Sequence, residues 1–565
     1  MIKAKEKLSQ YVYKEKKSIF IIIFVIIVGV IFNNLNPTIY GKIIDSITEK
    51  DINSLKKYLI INAFVLISIS LLSVLETTLG NLITYRINNR IKEIIFKKIL
   101  LKRCKNLDSY MTGELISKLE SDTSTIVSYY IDIITSISMI VFNLVISVVF
   151  IFNISIKLSV IAILLLPITY VINILFRKKV KELQEKQQNE NDKYMGFVNE
   201  TLTNINGVKV FQLELFSLKK YIEYLNSLLN ILRKENRTSN LIYILQNTVA
   251  VVVNLTITFF SAVLILDGKM SLGNMVAFSA YLDKLSDAFS KIMSININKQ
   301  KFLVSYERIN ELIEKDTLEI LDQGITIDEI NSINFENVSF GYDERNIINM
   351  INFKINNPGI YTIVGKNGGG KSTLFRILLR LYEHDKGNIY INKINIGKIS
   401  ISSLRNSISY LAKEPFILND TFMNNLIIGD ASSTIEEVIE VCKKVGLHEY
   451  IISLPEEYNT FIEENGSNLS SGQKQKLCFA RILLRKRKLI LLDEVTSDID
   501  GESERKIVEV IKELSSDAII ISISHKLSSF INSDKIFLIN NGTIEISGTH
   551  QDLMNEPLYK ELFET

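Results

Sequence analysis

Gly365-Lys366-Asn367-Gly368-Gly369-Gly370-Lys371-Ser372 stands between an apolar run, Ile360 to Val364, and a helix-like run, Thr373 to Leu379. A strand, a glycine turn and a helix in that order can hold a nucleoside triphosphate. The glycines let backbone N–H groups face phosphate oxygens, and the helix start adds partial positive charge. Lys371 would meet the β- and γ-phosphates, Ser372 would offer its hydroxyl to Mg²⁺, and Thr373 would complete the cradle.

Further along, the strand-like run Lys488 to Leu492 ends in Asp493 and Glu494. After a phosphate loop, such a pair suits phosphoryl transfer to water: Asp493 would hold Mg²⁺ through its water shell, and Glu494 would face the attacking water. Between the two lies Leu469-Ser470-Ser471-Gly472-Gln473, followed by a helix-like run from Lys474 to Leu484. Taken alone this is a helix cap, with Ser470 or Ser471 satisfying the N–H groups of the first turn.

With these pieces in this order the chain resembles the ATP-binding-cassette transporters, and among them the exporters in which six membrane helices are fused to one C-terminal nucleotide-binding domain. The resemblance covers nearly the full length. It implies that Ser470, Ser471, Gly472 and Gln473 bind the γ-phosphate of ATP held by the opposite cassette. Tyr342 would stack on adenine, although a half-buried strand tyrosine fits the residues equally well. Ser497-Asp498-Ile499-Asp500 matches the loop that crosses the dimer interface, and His525 matches the switch histidine that contacts the γ-phosphate and joins Glu494 in catalysis. Glu464-Asn465-Gly466 resembles the segment that senses the membrane domain. Thr112 to Leu119 and Asn206 to Phe211 resemble stretches at the coupling helices, and Asp267 to Gly273 resembles the outer turn before the last membrane helix.

Two residues depart from the family's pattern. Lys413 stands where a glutamine usually touches Mg²⁺, and a cation cannot ligate a cation. Ser471 stands where glycine is usual, which adds a side chain where backbone approaches phosphate.

These residues need elements to hold them. At 565 residues the chain exceeds one ordinary core. Apolar runs recur from Ser18 to Met293, and charge interrupts every run after about Lys299. Six segments approach the roughly 20 residues that cross a bilayer: Ser18 to Asn36, Tyr58 to Leu82, Tyr129 to Phe152, Lys157 to Phe176, Leu241 to Leu266 and Leu272 to Ile295. The expected architecture is therefore a membrane α-helical domain of six transmembrane helices over residues 1–314, a linker over 315–332, and an α/β phosphate-loop ATPase domain over 333–565. The first segment reads as a retained span rather than a signal peptide.

Lys3, Lys5, Lys7, Lys14, Lys16 and Lys17 precede the first span, and Lys/Arg recur in the connections 86–128 and 177–240. This distribution predicts a multi-pass protein of the cell membrane with its N-terminus and ATPase domain in the cytoplasm. A net charge of +3 supports no nucleic-acid reading. Cys104, Cys442 and Cys478 lack metal-ligand spacing and imply neither a disulfide framework nor a zinc site.

The expected function is ATP-driven, Mg²⁺-dependent export of a peptide, lipid or amphipathic small molecule by alternating access, with a second copy or a related half-transporter as partner. A membrane sensor or an exporter-like importer are the alternatives. Glu76, Asp132, Asp283 and Asp287 fall in or at the ends of spans, where charge is costly; some of them, Glu76 first, would face the transport cavity and favour cationic or amphipathic cargo, while a solvated place near the membrane surface fits Asp132, Asp283 and Asp287 equally well.

Overall fold

The computed structural model describes residues 15–108, 110, 112–165, 167–314, 318–342, 345–495, 501–524 and 531–561. They fall into two compact units, Met1–Phe96 with Thr112–Lys315, and Lys97–Met111 with Asp316–Thr565. The first is helical, and the second carries the sheets.

In the helical unit, Lys16–Thr48, Ile52–Leu100, Thr112–Ile154 and Glu214–Leu266 are the described helices long and apolar enough to cross a membrane. Helix also occupies the other two expected segments. One is laid out as Ile156–Leu165 and Pro167–Thr203, and the other as Leu272–Glu314. The latter carries Asp283, Lys284, Asp287 and Lys291 along its length, which removes it from the strongly apolar set.

Large apolar side chains face outward along Ile52–Leu100, with Ile60, Phe64 and Leu71 exposed while Ile83, Ile87, Ile91 and Ile95 are buried. Such a surface is unfavourable in water and required in lipid, and helices satisfy their own backbone groups there. Buried polar groups tie the bundle together. Asn34 donates to Asn143 Oδ1 at 2.8 Å and accepts from Ser147 Oγ at 3.2 Å, while Tyr281 Oη donates to the Asn34 carbonyl at 2.5 Å.

The second unit holds β1 (Ile333–Tyr342), β2 (Arg345–Ile355), β3 (Gly359–Gly365), β4 (Lys386–Ile391), β5 (Ile394–Asn395), β6 (Ile408–Leu411), β7 (Leu489–Asp493), β8 (Ile519–Ile523), β9 (Lys535–Asn540) and β10 (Thr543–Gly548). Among the described residues they form a four-stranded sheet ordered β2-β1-β4-β5 and a six-stranded sheet ordered β10-β9-β3-β8-β7-β6. The runs of β3, β7 and β8 are apolar and buried because parallel strands are covered on both faces. Their parallel pairing sends the carboxyl ends of β3, β7 and β6 to one edge of the sheet, the edge where open α/β sheets bind ligands. Behind it Leu374, Phe375, Leu491 and Ile521 share one core, and Phe422, Ile451, Leu477 and Phe479 share a second with the helices.

The segment 97–111 packs with this second unit. Arg103 pairs with Glu383 at 3.0 Å, Glu319 N–H donates to the Leu101 carbonyl at 2.7 Å, and Tyr382 Oη donates to Asp108. The expected coupling stretch Thr112 to Leu119 begins immediately after it.

Candidate functional site

The loop after β3 requires glycine at identifiable points. A Cβ on Gly365 would lie 2.1 Å from the Ile539 carbonyl oxygen, so no side chain fits there. Gly370 has φ +90° and caps the helix Lys371–Leu378, a backbone region that L-residues avoid. Lys371 folds back over this loop and donates to the carbonyls of Gly365 at 2.8 Å and Lys366 at 2.9 Å. Its burial pulls the ammonium below the ordinary lysine range, and the carboxylates of Glu494 and Asp493 pull the other way. A buried cation held by two neutral carbonyls is poised for a stronger anionic partner.

Ser372 Oγ donates to Asp493 Oδ1 at 3.1 Å. The loop after β3 and the end of β7 are thus joined by a hydroxyl and a carboxylate, hard oxygen donors that suit Mg²⁺. Burial raises the Asp493 carboxyl above its usual range, and the Ser372 hydrogen bond opposes that. Glu494 follows with φ +54°, in the left-handed region that costs a non-glycine residue about 1–2 kcal/mol, and its N–H is fixed on the Ile523 carbonyl at 3.0 Å. Strain of this kind, held by the surrounding sheet, marks functional positions.

Lys413 reaches the same place. Parallel β6 and β7 pair Leu411 with Leu492, so Lys413 and Glu494, each two residues further on, emerge side by side. The Lys413 ammonium lies 2.6 Å from Glu494 Oε2. From its place in the sequence Lys413 would either turn toward phosphate or leave the metal shell to water; the Glu494 carboxylate was not legible there, because the register of two distant strands sets the contact.

Ser470 is the N-cap of the helix Ser471–Arg485: its hydroxyl accepts from the Gln473 N–H at 3.3 Å, and the Gln473 side chain accepts from the Ser470 N–H at 2.9 Å. The cap is therefore Ser470, with Ser471 exposed in the first turn and open space around Gly472. Tyr342 is half-buried at the end of β1, edge-on to Phe340 and Tyr382, and accepts from Arg376 Nη1 at 3.2 Å. Arg376 was not anticipated, although its place in the helix behind the phosphate loop was a usable signal. His525 and the loop Ser497 to Asp500 lie outside the described residues.

In the helical unit, Glu76 and Asp287 line a common cavity, and Asp132 and Asp283 are not among its lining residues.

The family model described as ABC transporter transmembrane region matches residues 19–289, and the one described as ABC transporter matches residues 348–497. The chain belongs to the ATP-binding-cassette transporters. Within them it has the exporter arrangement, with membrane helices and ATPase fused in one chain. An export ATP-binding/permease protein of Rickettsia typhi is 29% identical over 99% of this chain and 98% of its own length. YgaD of Bacillus subtilis, described as a multidrug export ATP-binding/permease protein, is 29% identical over 80% of this chain and 79% of its own. The fold is similar to that of a bacterial Atm1-family exporter solved with ATP bound, at a TM-score of 0.84 over 97% of this chain and 98% of that one, with 23% identity. The cassette is an ATPase coupled to transport, and the chain is a multi-pass membrane protein of a family whose half-transporters work in pairs.

Proposed function

We propose that this cassette exporter carries a peptide, lipid or amphipathic small molecule out of the cytoplasm, with its N-terminus and cassette on the cytoplasmic side of the cell membrane. The observation that carries the reading is the convergence of Lys371, Ser372, Asp493 and Glu494 at the carboxyl ends of the parallel strands β3 and β7 of one sheet. The export description of the Bacillus and Rickettsia relatives supports the direction.

In this reading the backbone from Gly365 to Gly370, with Thr373 behind it, cradles the phosphates, and Lys371 leaves its two loop carbonyls for them. Tyr342 stacks on adenine. Ser372 and Asp493 are the residues that would hold Mg²⁺, which supplies charge neutralisation on the phosphates when bound. Glu494 orients the attacking water, and His525 contacts the γ-phosphate. Ser470, Ser471, Gly472 and Gln473 face the nucleotide of the opposite cassette, so two chains close around two ATP molecules. Closure shifts the helices outward because ATP binds the closed state more tightly, and hydrolysis resets them.

The test is steady-state ATPase and nucleotide binding by the full chain in proteoliposomes. Glu494→Gln should bind ATP and turn over about 100-fold or more slowly, as expected when the group orienting a nucleophile is lost. Lys371→Ala should instead weaken binding itself. Near-normal turnover in Glu494→Gln would sink the assignment.

A further inference from the structure

Four helices of the membrane unit enclose a cavity of about 220 Å³. Its wall carries charges of both signs. Glu76 comes from Ile52–Leu100, and Lys284, Asp287 and Lys291 come from Leu272–Glu314, with Asn33 and Asn143 from two further helices. Positions 284, 287 and 291 are spaced i, i+3, i+7, so a single helix face presents cation, carboxylate and cation to the same space.

Lys284 Nζ donates to Asn33 Oδ1 at 2.6 Å and also to the Asn33 carbonyl. These uncharged oxygens aim the ammonium without neutralising it. The charge of Lys291 acts on Glu76 from the neighbouring helix, so acid and lysine already share one electrostatic space. Ionised side chains at membrane depth are costly and mark functional positions. A wall of acids alone would select cations, which is what the acids suggested in sequence. Here the two lysines share the space, so a purely cationic solute meets like charge along with its partner.

We propose that this cavity recognises the head of a zwitterionic amphipath. Its cationic group sits at Glu76 and Asp287, its carboxylate or phosphate at Lys284 and Lys291, and its apolar part runs along Leu72 and Ile140. The volume is below the roughly 300–1,000 Å³ of sites that enclose a whole drug-sized ligand, and it suits a head group. The proposal rests on the exporter reading above and names the class of its cargo.

The chain contains no tryptophan, so Ile69→Trp places a sole tryptophan on the cavity wall, excited at wavelengths where the tyrosines do not absorb. The full chain carrying it, in proteoliposomes, is titrated with amphipaths that share a dodecyl tail: dodecyltrimethylammonium, dodecyl sulfate, N-dodecyl-N,N-dimethylglycine and dodecylphosphocholine. At least one zwitterion should bind about tenfold tighter than either singly charged probe. Preference for the glycine betaine identifies a carboxylate cargo, and preference for the phosphocholine identifies a phospholipid-like head.

Glu76→Gln should weaken the zwitterion and the cation while sparing the anion. Lys284→Gln should weaken the zwitterion and the anion while sparing the cation, and Lys291→Gln reads the same arm should Lys284→Gln fail to accumulate. Equal affinity for all four probes, or a cation preference indifferent to both lysine variants, would overturn the proposal. ATP turnover in the same vesicles separates the two readings. Turnover without charge selectivity sinks the cavity proposal alone, and a chain that neither turns over nor binds ATP sinks the exporter reading whatever the probes do.

Discussion

Lys413 is the residue that most changes what this ATPase site does. Its ammonium sits on the carboxylate that would orient water, and an ion-paired carboxylate is a poorer acceptor for that water's proton. The magnitude follows from exposure. Glu494 is only 15% exposed, but the Lys413 side chain is 63% exposed, and a pair with one solvated partner stays near the roughly 1 kcal/mol of surface pairs, which is about fivefold in rate. Lys413→Gln should therefore raise kcat for ATP by a few fold and leave KM near its starting value. Raising ionic strength should accelerate the parent and not the variant, because salt screens the exposed pair. A raised KM with kcat unchanged would place Lys413 on the phosphates instead. The phosphate loop was legible in sequence because its glycines and Lys371-Ser372 form one short local pattern, with Gly370 required by its own left-handed backbone. The partner of Lys413 was not, because it depends on which residue of β6 is paired with which residue of β7.

Among the elements, the helix Leu272–Glu314 shows how a loop that carried little topological signal holds a structural device. The connection after the first span mixes Lys42, Lys50, Lys56 and Lys57 with Asp45, Glu49 and Asp51, so its charges say little about sidedness. In the structure Asp45 accepts from the Gly273 N–H at 2.7 Å and from Ser271 Oγ at 2.7 Å, an acid placed at the N-terminal end of that helix, where the dipole favours it. The contact needs two glycines. A Cβ on Gly273 would lie 2.0 Å from the Gly41 oxygen, and one on Gly41 would lie 2.6 Å from the Gly273 oxygen.

The glycine in the Asp267 to Gly273 turn was visible in sequence, and its partner across the bundle was not, since only packing selects Gly41. Asp45→Ala should destabilise the helical unit by about 1 kcal/mol, the usual cost of losing a cap, and Gly273→Ala by about 1–3 kcal/mol through overpacking. Both are read as a lowered unfolding midpoint of the purified chain in detergent. The double variant should fall short of the sum because the residues touch. An additive or neutral result would remove Asp45 from this role.

At the scale of the whole molecule the helix Ser471–Arg485 bears most directly on the identity of the partner. Ser470 is committed to its cap and Ser471 sits in the exposed first turn, so in the proposed pairing the first-turn N–H groups would still be the part of this helix that meets the phosphate, even with serine in place of glycine. Serine adds one small hydroxyl that can itself donate to phosphate, which argues for a weakened rather than a lost contact. In a pair of unequal halves, a chain supplying Glu494 and His525 to the strong site would lend its own segment Ser470 to Gln473 to the weak one, and Ser471 would be at home there. In a pair of identical copies both sites carry Ser471, Lys413 and Glu494, and both turn over slowly and equally.

The mildness of the serine substitution favours two copies. Val210, Phe211, Leu215 and Phe216, in and just after the helix Ile205–Val210, are each exposed, and exposed apolar side chains so close in sequence are of the kind a protein partner covers. The chain purified alone should then hydrolyse ATP, Glu494→Gln should trap one nucleotide per chain and thus two per pair, and Ser471→Gly should leave turnover unchanged or raise it. A lone chain that is inactive and gains turnover only when mixed with a second, different half-transporter would overturn the identical pair and assign Ser471 to a degenerate site.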